Sequence, residues 1–222
     1  MKNEIVNQTD NLDCLNILGV YYSAPLATKL AGNNWYKQAY NIAETIAAKT
    51  NITIETVTAV ISAISPNNKW TKNVFDADRL CTAFKNGFDL GDVKVSTYNP
   101  NKEKARLILQ NTLDKEHRTR DILNGQKVTA FYDCILYAGD KSHLFGKQSV
   151  CVDGHAKSIY YGERFMLSSN KSNISKKEYS TISAAYISAA KIINSIERGA
   201  EMSGCNVQAI TWNHWRNLHN IK

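Results

Sequence analysis

At 222 residues, 43% hydrophobic and 21% charged, the chain has room for one sizeable domain, or one folded as two lobes, of ordinary globular composition. Lys and Arg total 27 against 20 for Asp and Glu, a net charge of +7 and a pI near 9.1, which suits a polyanionic partner because neutralising phosphates releases counterions. No run approaches the roughly 18 apolar residues of a membrane span, and Met1-Lys2-Asn3-Glu4-Ile5 lacks a signal-peptide core, so a cytoplasmic protein with no membrane partner is expected.

In chain order the pattern is helical. Between Trp35 and Lys49, Tyr36, Ala39, Tyr40, Ala43, Ile46 and Ala47 follow the one-face helical spacing. Thr53 offers an N-cap, with Thr56 where a capping box takes Glu or Gln; Val57, Val60, Ile61 and Ile64 follow, and Pro66 ends the helix in the turn Ser65-Pro66-Asn67-Asn68. A helix over Thr71 to Phe84 is closed by Asn86-Gly87, and Gly87 to Val95 reads as loop with a short extended piece. Asn99-Pro100 opens the next helix, with asparagine as cap and proline at the first helical position, running to Gln110 or Asn111.

Arg118 to Leu123 is a short helix, Asn124-Gly125 a turn and Lys127 to Ala138 another helix: a hairpin with a very short connector. Gly139 to Gln148 is a polar loop. The apolar, strand-like run Val150-Cys151-Val152 ends on Asp153, which starts a helix to about Tyr161. Ser168 to Ser175 is a flexible surface loop, and Lys171, Lys176 and Lys177 read as solvated charges. A long helix from Ser175 or Lys176 passes through Ala184, Ala185, Ile187, Ala190, Ile193 and Ile196; Gly199 to Gly204 breaks it, and Asn206 caps a last helix carrying Trp212 and Trp215. The expectation is an all-α fold in one compact unit without internal repeats.

The five cysteines are scattered and contain no C-x-x-C pair. They read as buried thiols of a reducing compartment; zinc and iron–sulfur spacings are missing, so no metal and no cofactor is expected. Two places carry chemistry. A glycine between two short helices lets the chain turn sharply and exposes N–H groups at the next helix's N-terminus, where the dipole favours phosphate oxygens, and Lys127 adds a cation there. The plain alternative is an ordinary turn. Asp153 is read either as a simple N-cap or as a carboxylate emerging from a buried run, with His155 and Lys157 just beyond it.

Three segments in order resemble the helix-hairpin-helix DNA glycosylase superfamily, of the endonuclease-III and oxoguanine-glycosylase type. Leu123-Asn124-Gly125-Gln126-Lys127 looks like its L-P-G-V-G-x-K hairpin, Val152-Asp153-Gly154-His155 like its V-D-T-H, and Ala59 to Asn67 like its apolar helix ending in L-S-x-Q. The resemblance spans roughly residues 55 to 160. The hairpin's proline and second glycine, and the iron–sulfur cysteines of some relatives, are missing. It implies a two-lobed helical bundle over residues 1–222, with lobes at about 50–138 and at 1–49 plus 139–222, and the active site in the cleft between them.

It further implies an N-glycosylase that flips a modified, damaged or mismatched base out of duplex DNA. Asp153 would stabilise the oxocarbenium-like sugar and orient the nucleophile. Gly125, Gln126, Lys127, Thr129 and His155 would hold the backbone, while Asn67, with Asn68, fills the vacated stack. Trp70, Tyr132 and the Trp212/Trp215 pair are candidates for the pocket wall. A two-residue gap makes Lys127 the family's catalytic lysine and the enzyme a lyase; a gap-free alignment puts Thr129 there and leaves simple base release. The last helix faces DNA through His214, Arg216 and His219, or packs its tryptophans inward. The expected partner is duplex DNA and the expected state a monomer. Rival readings are a non-catalytic DNA-binding module, a nuclease using Asp153 and His155 around a metal, and an all-α protein-interaction domain.

Overall fold

Apolar residues at helical spacing close into helices throughout the described residues. The computed structural model describes residues 14–110, 117–166 and 173–221, and among these there are eleven α-helices and no strand. They are α1 (Leu15–Ser23), α2 (Leu26–Thr50), α3 (Ile54–Ala63), α4 (Trp70–Lys85), α5 (Asn99–Gln110), α6 (His117–Leu123), α7 (Gln126–Gly139), α8 (Leu144–Gln148), α9 (Gly154–Tyr161), α10 (Lys176–Ile196) and α11 (Gly204–Leu218). No helix among the described residues is long and apolar enough to cross a membrane. The all-α expectation holds.

Several local expectations change. The sequence pattern missed α1, and α2 begins well before Trp35; α1 buries only Ile17 and Tyr21, too few positions to set a period. The polar stretch 139–148 contains α8, and the stretch after Gly87 holds a 3-10 turn at Leu90–Asp92 where an extended piece was expected. Val150-Cys151-Val152 is buried but is no strand. The Val152 N–H donates to the Val150 carbonyl at 3.0 Å, and one side chain joins both groups: the Tyr179 hydroxyl donates to the Val150 carbonyl at 2.7 Å and accepts the Val152 N–H at 3.2 Å. Ser203, not Asn206, caps α11; Asn206 sits three residues in and completes a capping box by returning its amide oxygen to the Ser203 N–H. Of the loop expected at 168–175, residues 168–172 lie outside the described residues, and Ser175 caps α10 in a second capping box with Glu178.

The chain divides into two compact units, one from residues up to Tyr36 with Lys147 onward, the other from Lys37 to Gly146. In the second unit α3 is the central element. Thr53 caps it through the Thr56 N–H, and every residue from Val57 to Ile64 is buried, so this stretch is enclosed on all sides, with α4, α5, α6 and α7 around it. In the first unit α11 has that place, against α1, α9 and α10, with Val207, Ile210 and Trp215 inside. Trp215 packs inward, as the amphipathic reading expects, and so does His214.

Close approach fixes α11 against the first half of α2. A Cβ added at Gly32 would stand 2.5 Å from the Ile210 Cα, so only glycine permits the contact. On either side, Tyr36 donates its hydroxyl to Gln208 Oε1 at 2.9 Å and Asn206 Nδ2 donates to Asn33 Oδ1 at 2.9 Å.

Gly32→Ala gains about 1 kcal/mol of helix propensity. Overpacking against an immobile backbone costs about 1–3 kcal/mol, so we expect a net loss of stability, read as a lower urea midpoint with an unchanged slope. His214 gives a pH dependence. Burial holds its imidazole pKa below the ordinary 6.5. The unfolded chain therefore takes up that proton before the folded one, so the stability is full above pH 6.5 and is lost as the pH falls through the folded value. Thermal melts should fall across that window in the native protein and fall less in His214→Gln.

Candidate functional site

The hairpin is built by the ends of α6 and α7. Leu123, fully buried, anchors the end of α6, and its carbonyl accepts from Lys104 Nζ of α5 at 2.7 Å. Asn124 then turns through a left-handed conformation, φ 41°, which asparagine tolerates better than most residues. Gly125 is the N-cap of α7; it brings no side-chain cap, and nothing lies within 4 Å of where its Cβ would stand. Residues 124–127 are all exposed and the first turn of α7 carries no acid. The N-terminus of a 14-residue helix thus opens outward with Gln126 and Lys127 beside it, an arrangement that favours a phosphate oxygen. Thr129 is half-buried and its N–H donates to the Gly125 carbonyl at 2.9 Å.

The angle between the two helices is set by residues that the sequence reading passed over. Asp133, 1% exposed on α7, receives both guanidinium nitrogens of Arg120 from α6, one of them at 2.9 Å. His143 Nε2 stands 3.3 Å from the same carboxylate, and Arg120 lies over the Phe145 ring at 4.3 Å. A bidentate pair of this kind is directional, so it orients α6 on α7 as well as attracting it. In the sequence, Arg120 and Asp133 are two charges on different helices with nothing to mark them as a pair.

The α3–α4 loop belongs to the same unit. Asn67 is exposed with φ 56°; Asn68 is half-buried, donates to the Ile64 carbonyl at 3.4 Å and leaves its own Oδ1 buried without a hydrogen bond. Trp70, the first residue of α4, meets Phe131 of α7 edge-on at 6.4 Å, which links the loop to the hairpin. Tyr132 is 1% exposed and edge-on to His143, so it is a core ring with no open face.

Asp153 and His155 stand in the other unit. Asp153 is the N-cap of α9, its Oδ1 accepting the His155 and Ala156 N–H groups at 3.0 and 2.8 Å. Its Oδ2 accepts from the Trp212 indole N–H at 2.9 Å, tying the start of α9 to α11. Three N–H donors therefore converge on one half-buried carboxylate, and Trp212 also meets the His155 ring at 6.2 Å. The sequence offers Trp212 as a pocket wall or as an inward-packing ring; its spacing on α11 gives no sign of this hydrogen bond. Arg216, one turn on, lies over the Trp212 ring at 4.3 Å. Among the described residues no group of three or more His, Cys, Asp or Glu side chains is placed to hold a metal ion. All five cysteines are buried thiols outside any disulfide; at Cys81 burial, with Asp78 nearby, pushes the pKa to about 12, away from nucleophilic chemistry.

A family model matches residues 3–219. The chain belongs to DUF7178, a family of unknown function. No curated protein and no solved structure matches the chain. The family therefore brings no assigned activity, and the functional argument rests on the residues above.

The buried pair at the hairpin can be tested by itself. Arg120→Met leaves Asp133 a buried charge and is expected to cost about 3–5 kcal/mol. In Arg120→Met/Asp133→Leu the charge is gone, so the double variant should unfold at higher urea than the single one.

Proposed function

We propose that the protein is a DNA N-glycosylase that removes a modified, damaged or mismatched base. The observation that carries the reading is the α6–α7 hairpin, whose open, glycine-started N-terminus with Lys127 suits a backbone phosphate. The loop with exposed Asn67 lies in the same unit, one aromatic contact away through Trp70 and Phe131. Asp153 supplies the carboxylate that stabilises the sugar, held by two backbone N–H groups and one indole.

In the reaction the C1′–N bond breaks, its electron pair leaves with the base, and the base takes up a proton. The carboxylate of Asp153 stabilises the positive sugar, and water adds at C1′ and releases one proton, which balances the proton taken up by the departing base. Lys127, exposed at the helix start, acts as the phosphate cation in this reading, which leaves base release without strand cleavage. A second reading, a DNA-binding module without chemistry, is favoured by one observation: the three contacts of Asp153 already complete a helix cap and an interhelical tie.

The test is a panel of end-labelled duplexes carrying uracil, hydroxymethyluracil, oxoguanine, alkylated adenine or glucosylated hydroxymethylcytosine, resolved with and without hot alkali. Breaks only after alkali are expected. Asp153→Asn, which keeps a good cap, should lower the rate by about a hundredfold or more while binding persists. Breaks without alkali, trapped by borohydride and lost in Lys127→Gln, would make Lys127 the nucleophile. Salt-sensitive binding without any base release across the panel would leave the non-catalytic module.

A further inference from the structure

Phe75 and Tyr98 are 61% and 64% exposed, large apolar rings left in water on a surface of cations. They stand on two segments fastened side by side. Arg79 of α4 donates to the Lys94 carbonyl at 3.1 Å, the Ser96 N–H donates to Asp76 Oδ2 at 2.6 Å, and the Thr97 hydroxyl donates to the Pro66 carbonyl at 3.0 Å. Residues 94–97 are thereby laid along α4 back to the α3–α4 loop. Lys72, Phe75 and Arg79 follow at spacings of three and four, so they share one helix face, and all are exposed together with Lys69 and Lys94. Arg79 lies 5.6 Å from the Phe75 ring centre, coupling cation and ring.

The acids of α4 do not cancel this charge. Asp76 is 3% exposed and turned to the Ser96 N–H, and Asp78 is paired with Lys49 at 2.8 Å. The face therefore offers positive charge and flat rings together. An apolar partner would bury the cations unpaired, at a desolvation cost that the two rings do not offset. A polyanion without flat groups would leave both rings wet. A chain that alternates phosphates with unstacked bases meets both demands.

We propose that Lys69, Lys72, Phe75, Arg79, Lys94 and Tyr98 form a track for single-stranded polynucleotide, with bases stacked on Phe75 and Tyr98 and phosphates at the cations. It rests on the nucleic-acid reading given above and adds a strand-holding surface beside the loop of Asn67. Duplex DNA hides the base faces that these rings would meet, so the single strand is the occupant.

Fluorescence anisotropy of labelled oligothymidylate and oligouridylate, titrated at several salt concentrations, tests the proposal, with the fully paired duplex as reference. Phe75→Ala/Tyr98→Ala is expected to weaken single-strand binding about tenfold or more at fixed salt, with the salt slope unchanged and the duplex little affected. Lys69→Gln/Lys72→Gln should lower the single-strand salt slope by about 0.7 for each phosphate that is no longer neutralised. Both variants alter exposed side chains and should melt with the native protein. Single-strand binding unchanged in the aromatic variant overturns the proposal, as does a native protein that binds neither oligonucleotide. Sedimentation showing native self-association that disappears in Phe75→Ala/Tyr98→Ala also overturns it, making the face a contact between copies. Base release decides the separate question: a track with no glycosylase activity sinks the enzyme alone, and base release with no track sinks the track alone.

Discussion

A carboxylate that is 1% exposed has to be neutralised where it stands, and Asp133 meets that demand by drawing in Arg120 from α6 and His143 from beyond α7. Desolvating a charge costs several kcal/mol unless geometry and hydrogen bonding are good. The two-pronged guanidinium contact is good in both respects, so it fixes how α6 lies on α7. The hairpin's open helix N-terminus at Gly125 points where it does because this pair holds the two helices behind it. Lys104 at the Leu123 carbonyl and Trp70 against Phe131 brace the same corner from α5 and α4.

The other unit shows one side chain carrying several roles. Asp153 caps α9 through backbone N–H groups and ties α11 through the Trp212 indole, while α11 is brought against α2 by the absence of a side chain at Gly32. A carboxylate so held is preorganised, which is what charge stabilisation in a transition state requires, because no reorganisation is needed at the moment of reaction. The same rigidity also serves a purely architectural purpose. Geometry at Asp153 is common to both roles, and that is why the hairpin carries the functional argument.

Charge is distributed with the same economy. The exposed cations Lys69, Lys72, Arg79 and Lys94 stand in water, whereas Lys157 is buried, paired with Glu178 at 2.9 Å and donating to the Asn173 carbonyl at 2.8 Å, so it ties α9 to the start of α10. A net charge of +7 is thus a poor guide until each cation is placed.

Sequence by itself determined the all-α class, the boundaries of α3, α4, α5, α7 and α10 to within a residue or two, the turn at Asn124-Gly125 and the cap at Asp153. These depend on neighbours three or four residues apart, whose periodicity and capping chemistry are written locally. It misread Val150–Val152 as strand-like because an apolar run has no period; a local Val152 N–H bond to the Val150 carbonyl and the hydroxyl of Tyr179, far along the chain, satisfy that backbone. It placed the α11 cap at Asn206 when Ser203 takes it, since serine and asparagine are both good caps and the glycine at 204 hides that the helix already starts there. The Arg120–Asp133 clamp, the Trp212 bond to Asp153, the burial of Tyr132 and the alignment of Lys94–Tyr98 along α4 were decided by tertiary structure alone. Each joins residues that are distant along the chain, and such contacts leave no periodic trace in one sequence.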